Sequence, residues 1–123
     1  MSNPYASYQA QAIETMTAGE MINALYEALI KQINFAILHM EEQSIAGSHQ
    51  ALIKAQDIVA YLHQTLNMEI PVSQSIVPYY TFFQDQLILA NLKKDKQTLE
   101  GILPLIVQLR DVFNLADRMS RTR

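Results

Sequence analysis

Apolar residues recur at helical spacing in four separate stretches of this 123-residue chain, and no other feature constrains its fold as strongly. A stripe of apolar residues at every third or fourth position predicts a helix that is buried along one side. The breaks between the stretches are short and polar, so consecutive helices are expected to be antiparallel neighbours. The sequence therefore predicts an all-α fold, an antiparallel up-down-up-down four-helix bundle. The stripes are Met21, Leu25, Leu29, Ile33, Ala36, Ile37 and Met40; Leu52, Ala55, Val59, Leu62 and Leu66; Tyr80, Phe83, Leu87 and Ala90; and Leu99, Ile102, Leu105, Ile106, Leu109, Val112, Phe113 and Ala116.

Local signals predict where the first two helices begin and end. Thr17 and Glu20 form a capping box, in which each side chain bonds the backbone N–H of the other residue. The first stripe fades after Met40, and Gly47 is expected to end this region. Ser48 is then the expected cap of the second helix.

Prolines set the expected limits of the later helices. The second helix should end near Asn67, because Pro71 cannot lie inside a helix without breaking it. The third helix is expected to begin between Ser73 and Pro78, with Ser73 or Ser75 as its cap and Pro78 in an early turn.

The fourth helix follows a short polar turn at 93–96 and contains Pro104. Proline removes a backbone hydrogen bond and clashes with the preceding turn, so a kink or a late helix start is expected there. No internal repeat or linker interrupts the chain after residue 16. Residues 17–123 are therefore predicted to form one bundle domain.

Residues 1–16 differ from the rest of the chain and are predicted to form an amino-terminal arm. The segment Asn3-Pro4-Tyr5 is typical of a turn or extended backbone. Tyr5 and Tyr8 are the large side chains of an otherwise polar, alanine- and glutamine-rich stretch. Two aromatic residues three apart suit docking against an apolar surface, since a tyrosine ring can be buried while its hydroxyl stays in water.

The composition argues against several classes of protein. The formal net charge of −3 argues against binding to nucleic acid, which requires a basic excess to neutralise phosphates. The chain has no cysteine, which excludes disulfides and thiol chemistry. No secretion signal is evident at the amino terminus, and no apolar run approaches the about 20 residues that span a bilayer. A cytoplasmic protein without direct membrane insertion is expected.

Residues that would carry catalysis are not arranged in a recognisable motif. A helical bundle can hold two metal ions on Glu-x-x-His pairs, but no glutamate is followed by a histidine three residues later. The three glycines do not form a phosphate-binding loop. The sequence therefore predicts no enzyme and no metal or other cofactor, although a metal or nucleotide in the bundle core is kept as a second hypothesis.

Three of the four helices carry more apolar residues than one stripe requires. One interpretation is that a four-helix core needs a wide apolar face on each helix. The other is that part of this surplus remains exposed as a groove for a partner protein, because large apolar patches rarely stay exposed without a use. The arm would then cover the groove when the partner is absent. The surplus residues are Ile22, Tyr26, Ile30, Tyr79, Ile88, Leu103 and Val107.

Short strings spread along the chain resemble the flagellar secretion chaperone family FliS. They occur in the order and spacing of that family and cover nearly the whole chain. They are Asn3-Pro4-Tyr5-Ala6-Ser7-Tyr8-Gln9, Thr17-Ala18-Gly19-Glu20-Met21, Leu25-Tyr26, Leu52-Ile53-Lys54-Ala55-Gln56, Thr65-Leu66-Asn67, Ala90-Asn91-Leu92-Lys93 with Asp95, and Leu109-Arg110-Asp111.

The resemblance implies a chaperone that binds the disordered carboxy-terminal segment of flagellin in the cytoplasm. Binding would prevent premature polymerisation and assist delivery to the flagellar type III export apparatus. The membrane component of the export gate is the expected second partner once flagellin is bound. A helical adaptor or dimerisation module unrelated to flagella is the alternative.

The same resemblance places candidate partner-binding residues along the chain. Tyr5 and Tyr8 match the arm that covers the flagellin-binding surface in that family. For Gln56, Asn67 and Asn91, a hydrogen bond in a turn or between helices is an equally good interpretation, and Arg110 with Asp111 is equally consistent with an ordinary ion pair. The full set of candidates is Tyr5, Tyr8, Gln9, Tyr26, Lys54, Gln56, Asn67, Asn91 and Arg110.

Overall fold

The computed structural model describes residues 16–121, and this part of the chain consists of four α-helices joined by short turns. The predictions for Tyr5, Tyr8 and Gln9 fall outside the described residues. The predicted all-α class is confirmed. The helices are α1 (Ala18–Glu41), α2 (Ile45–Gln64), α3 (Pro71–Lys93) and α4 (Lys96–Arg121).

The four helices pack as a ring. Each helix packs against the next one along the chain, and α4 returns to pack against α1. The connections at 42–44, 65–70 and 94–95 are too short to cross the bundle, so each one reverses the chain direction. The predicted four-helix bundle is therefore confirmed.

One continuous core lies along the axis of the bundle. The predicted stripes supply most of it, and the residues with the largest fully buried side chains include Tyr26, Tyr80 and Phe83. The fourth stripe lies only partly in the core, since Leu105 and Val112 are exposed. The buried apolar residues are Leu25, Tyr26, Leu29, Ile33, Ala36, Ala51, Leu52, Ala55, Ile58, Val59, Leu62, Ile76, Tyr80, Phe83, Leu87, Ala90, Leu99, Ile102 and Ile106.

The capping box at the start of α1 is confirmed. The backbone N–H of Glu20 donates to Thr17 Oγ1 at 3.1 Å, and the backbone N–H of Thr17 donates to Glu20 Oε1 at 3.4 Å. Two backbone donors at the helix start thereby gain partners.

The predicted turn between α1 and α2 is wrong by four residues. The cap of α2 is Ser44, whose Oγ accepts from the Gly47 N–H at 3.2 Å, and Ser48 lies buried inside the helix. Gln43 reverses the chain in a left-handed conformation with φ of 60°, so no glycine is needed at the turn. Gly47 is instead a site of close approach, because a Cβ there would lie 2.4 Å from His39 Nδ1.

The predicted start of α3 is also wrong. Pro71 is the first residue of α3 and not a breaker before it, since a first-turn N–H has no partner within the helix and proline loses nothing there. Ser73 is buried inside α3, and Pro78 lies in the helix interior. The helix α4 runs from Lys96 through Pro104 to Arg121, so of the two alternatives expected at Pro104 the late start does not occur, and the kink stays a prediction.

Candidate protein-binding groove

An apolar groove lies between α3 and α4. Its walls are Pro78, Tyr79 and Phe82 from α3 and Leu105 from α4, and its volume is about 280 Å³. These side chains remain accessible, with 46% of Tyr79, 42% of Phe82 and 37% of Leu105 exposed. Large apolar side chains held at this exposure form a surface that a partner can cover. These four residues are called the α3–α4 groove below.

The groove exists because α3 carries two apolar stripes side by side. One stripe points into the core and consists of Tyr80, Phe83, Leu87 and Ala90. The second, Tyr79, Phe82 and Leu89, begins one residue earlier and is therefore rotated by about 100° around the helix axis. A ring of four helices buries one face of α3 fully and leaves the adjacent face at the seam with α4.

Exposed apolar residues extend this surface along the seam. Val72 near the start of α3 is 63% exposed, and Val112 in the second half of α4 is 60% exposed. Because α3 and α4 run antiparallel, these two residues belong to the same end of the bundle. Val72 lies about two helical turns before Tyr79, and Val112 lies about two turns after Leu105, so each extends the apolar helix face that lines the groove, as an extended or helical partner segment would require.

A buried hydrogen bond lies behind the groove. The hydroxyls of Tyr26 in α1 and Tyr80 in α3 are 2.8 Å apart, across the diagonal of the bundle. Desolvation raises the pKa of both phenols, so both keep their protons at neutral pH. Tyr26, a predicted partner-binding residue, is fully buried and has no surface for a partner in this structure.

The seam between α1 and α4 is polar by contrast. Arg110 Nη1 lies 2.7 Å from Glu27 Oε1, and Arg110 Nη2 lies 3.1 Å from Asp111 Oδ1. Desolvation acts against the guanidinium charge, but the hydrogen bonds to Asp111 and Glu27 outweigh it and raise the pKa of Arg110. Asn114 Nδ2 donates to Asn23 Oδ1 at 2.9 Å in the same seam. Arg110 is thus held by ion pairs.

The other predicted partner-binding residues are not brought together. Lys54 is exposed on α2, and the backbone oxygen of Gln56 accepts from Gln84 Nε2 at 2.8 Å. Asn67 accepts from the backbone N–H of Glu69 at 3.1 Å within the turn between α2 and α3. Asn91 lies near the opposite end of α3.

Asn91 makes the kind of interhelical hydrogen bond that the sequence left open as an alternative. Its Nδ2 atom lies 3.0 Å from His49 Nδ1 in α2, and Lys94 Nζ donates to its backbone oxygen at 2.6 Å. The structure therefore supplies intramolecular partners for Asn67, Asn91 and Arg110. Whether these residues also contact a partner protein stays a prediction.

Sequence reasoning did not place the groove residues among the candidates. Tyr79 belongs to the apolar surplus for which a partner groove is one of the two interpretations. Phe82 lies beside the third stripe, and Leu105 belongs to the fourth stripe, which was expected in the core. The signal that identifies them is the doubled aromatic pattern Tyr79-Tyr80 and Phe82-Phe83, which puts aromatic rings on two adjacent faces of one helix.

Two negative findings apply to the part of the chain that the structure describes. Within residues 16–121, no three His, Cys, Asp or Glu side chains are grouped so that they could hold a metal ion. None of the four described helices is both long and apolar enough to cross a membrane.

Comparison with known proteins adds two findings. The family model described as "Flagellar protein FliS" matches residues 1–120. The "Flagellar secretion chaperone FliS" of Bacillus subtilis (strain 168) is 32% identical over 121 residues, which cover 98% of this chain and 91% of the relative. The similarity therefore extends along almost the whole of both chains.

Proposed function

Since this chain belongs to the FliS family and is a flagellar secretion chaperone, we propose that its client is the disordered carboxy-terminal segment of flagellin. The observation that carries the proposal is the α3–α4 groove, an exposed surface lined by large apolar side chains from two neighbouring helices. The protein acts by binding and not by catalysis. Its place of action is the cytoplasm.

Binding proceeds by coupled folding of the client onto the groove. A disordered segment loses conformational freedom when it binds, at a cost of about 2–5 kcal/mol or more. The apolar side chains of Tyr79, Phe82 and Leu105 offset this cost when the client covers them. While its carboxy-terminal segment is bound to the chaperone, flagellin does not polymerise.

The loaded chaperone has a second partner, the membrane component of the flagellar export gate. Delivery to this component requires that the gate distinguish loaded from free chaperone. A client that orders on the bundle surface creates a composite surface which the free protein lacks. The gate component therefore recognises the complex of chaperone and client and not the bundle alone.

The arm at 1–16 is the displaceable cover of the client surface. Support comes from its two aromatic residues, Tyr5 and Tyr8, and from the apolar surface exposed on the described part of the bundle. Deleting residues 1–16 is expected to leave the bundle folded and to change client affinity. If the deletion unfolds the bundle, the arm is a structural strap and the cover hypothesis is wrong.

Calorimetry with a synthetic carboxy-terminal flagellin peptide tests the proposed client. Because binding buries apolar surface, formation of the complex should show a negative heat-capacity change. Phe82→Asp should weaken binding by about tenfold or more, because a charge in the groove must be desolvated. Leu38→Asp is the matched control, since Leu38 is similarly exposed, at 47%, on α1. Absence of binding by the unmodified protein at high micromolar peptide would favour the unrelated adaptor.

A further inference from the structure

The three glycines of the chain all lie within helices, and only one of them has no explanation in the packing of the bundle. At Gly19 a Cβ would overlap the carboxylate of Asp117 in α4, and at Gly47 it would overlap the ring of His39 in α1. Both glycines therefore allow two helices to approach each other closely, which is a common use of this residue.

Gly101 needs neither close packing nor an unusual backbone conformation. It is exposed in α4, a Cβ there would meet no neighbouring atom within 4 Å, and its φ is not positive. Glycine is among the least favourable residues in a helix interior. Alanine would therefore suit the isolated bundle better than the glycine that is present.

The same turn of α4 contains the proline of this helix. Pro104 lies three residues after Gly101 and directly before the groove residue Leu105, and α4 has no second glycine or proline. Both residue types are unfavourable inside a helix, and folded sequences depart from such rules mainly at functional sites. The pair supports a role for this turn outside the packing of the bundle.

Gly101 continues the α3–α4 groove toward the turn that joins the two helices. It lies four residues before Leu105 and is therefore on the same side of α4, rotated by about 40°. Leu89, on the groove face of α3, lies four residues before the end of that helix, and Gly101 lies five residues after the start of α4. Because the helices are antiparallel, Leu89 and Gly101 lie at nearly the same level along the bundle axis.

This part of the groove thus has an apolar side chain on one helix and bare backbone on the other. Leu89 is 36% exposed, and Leu105, one turn further along α4, is 37% exposed. We propose that Gly101 is a client-binding position, where one large apolar side chain of the client segment lies against the backbone between Leu89 and Leu105. The absence of a side chain lets the client approach α4 closely, which increases the number of favourable van der Waals contacts. The inference rests on the proposed function, because the occupant is the client.

Two variants test the proposal by calorimetry with the carboxy-terminal flagellin peptide. Gly101→Ala should weaken binding by about threefold and Gly101→Leu by about tenfold or more, because the added groups fill the space of the client side chain. Gly101→Ala should at the same time raise the urea midpoint of unfolding, since alanine has the higher helix propensity. Higher stability combined with lower affinity is a result that a glycine without a binding role would not give.

Gln50→Leu is the matched control for the added leucine. Gln50 is exposed on α2, which is diagonal to α4 in the bundle, so this variant should bind the peptide as the unmodified protein does. Circular dichroism checks that each variant is folded, and Gly101→Ala keeps the test decisive if Gly101→Leu folds poorly.

A double-mutant cycle reads the contact itself. Each apolar residue of the peptide is replaced in turn by alanine, and the loss of affinity is compared between the unmodified protein and Gly101→Leu. At one position the truncation should weaken binding to the unmodified protein but have a smaller effect on Gly101→Leu, because that side chain has already lost its place.

The outcomes separate this inference from the proposed function. If the unmodified protein does not bind the peptide, the proposed client is wrong and the inference is wrong with it. If the unmodified protein binds but folded Gly101→Ala and Gly101→Leu bind as tightly, only the inference is overturned. Gln50→Leu losing as much affinity as Gly101→Leu, or peptide truncations with equal effects on both proteins, would also overturn the inference alone.

Discussion

The bundle consists of two helical hairpins, the first formed by α1 and α2 and the second by α3 and α4. They turn in the same way but pack differently. Gln43 between α1 and α2 and Lys94 between α3 and α4 both adopt the left-handed conformation, with φ of 60° and 52°. Small residues line the first hairpin, among them Ala36, Ala51 and Ala55, all buried. The second hairpin presents large side chains at its seam and is the least closely packed pair of the ring.

The difference separates two roles within one small domain. Small side chains let helix backbones approach each other, which gives the first hairpin a dense interface. Large side chains that cannot all enter the core leave the second hairpin with an accessible apolar surface. The first hairpin is therefore expected to contribute mainly to stability, and the second contains the surface that we propose for the client.

The same substitution in the two hairpins should show the largest contrast. Leu52→Ala in α2 removes a fully buried side chain and should lower the free energy of unfolding by about 2–5 kcal/mol. Leu105→Ala in α4 removes a groove side chain and should lower it by about 1 kcal/mol or less. Urea denaturation followed by circular dichroism measures both. Equal losses would show that the seams are equally packed.

Gly47 provides a narrower test of the first hairpin. A Cβ at this position would lie 2.4 Å from the ring of His39, whose Nδ1 atom is buried. Gly47→Ala should therefore lower the free energy of unfolding by about 1–3 kcal/mol, despite the better helix propensity of alanine. A stability equal to that of the unmodified protein would indicate that the interface adjusts easily.

Gly101 is the matching position in the second hairpin. It lies one helical turn before Leu105, and a Cβ there would meet nothing within 4 Å. Gly101→Ala should raise the free energy of unfolding by about 0.5–1 kcal/mol, because alanine has the higher helix propensity and no neighbour is displaced. A loss of stability in the same denaturation experiment would contradict the open space beside Gly101.

The ion pair between Arg110 and Glu27 joins the two hairpins and is expected to have the smallest effect. Both side chains are partly exposed, so Arg110→Met should lower the free energy of unfolding by about 0.5 kcal/mol, with less effect at high salt. Client affinity should not change. A large loss of affinity by calorimetry would instead support the prediction that Arg110 contacts a partner.

Local pattern was sufficient to predict the four helices. The stripes identified most of the buried apolar residues but not Tyr26, Ala51, Ile58 or Ile76, and the capping box at Thr17 and Glu20 was predicted correctly. The errors at Ser44 and Pro71 have one cause. Several residues that can cap or start a helix lie close together there, and tertiary packing selects one of them.

The groove was harder to predict because periodicity identifies an apolar face but not what covers it. Leu105 and Ile106 belong to the same sequence stripe, yet Ile106 is fully buried and Leu105 is not. Tyr26 was expected at a partner surface and lies in the core, because its hydroxyl finds Tyr80 across the bundle. Such long-range pairings depend on how four helices meet, which a single stripe does not contain.

Hydrogen exchange with and without the carboxy-terminal flagellin peptide tests the central claim most directly. If the second hairpin holds the client surface, the peptide should slow amide exchange in α3 and α4 around Phe82 and Leu105 and leave α1 and α2 largely unchanged. Slowed exchange confined to the first hairpin, with α3 and α4 unaffected, would contradict the assignment of the client to the α3–α4 groove.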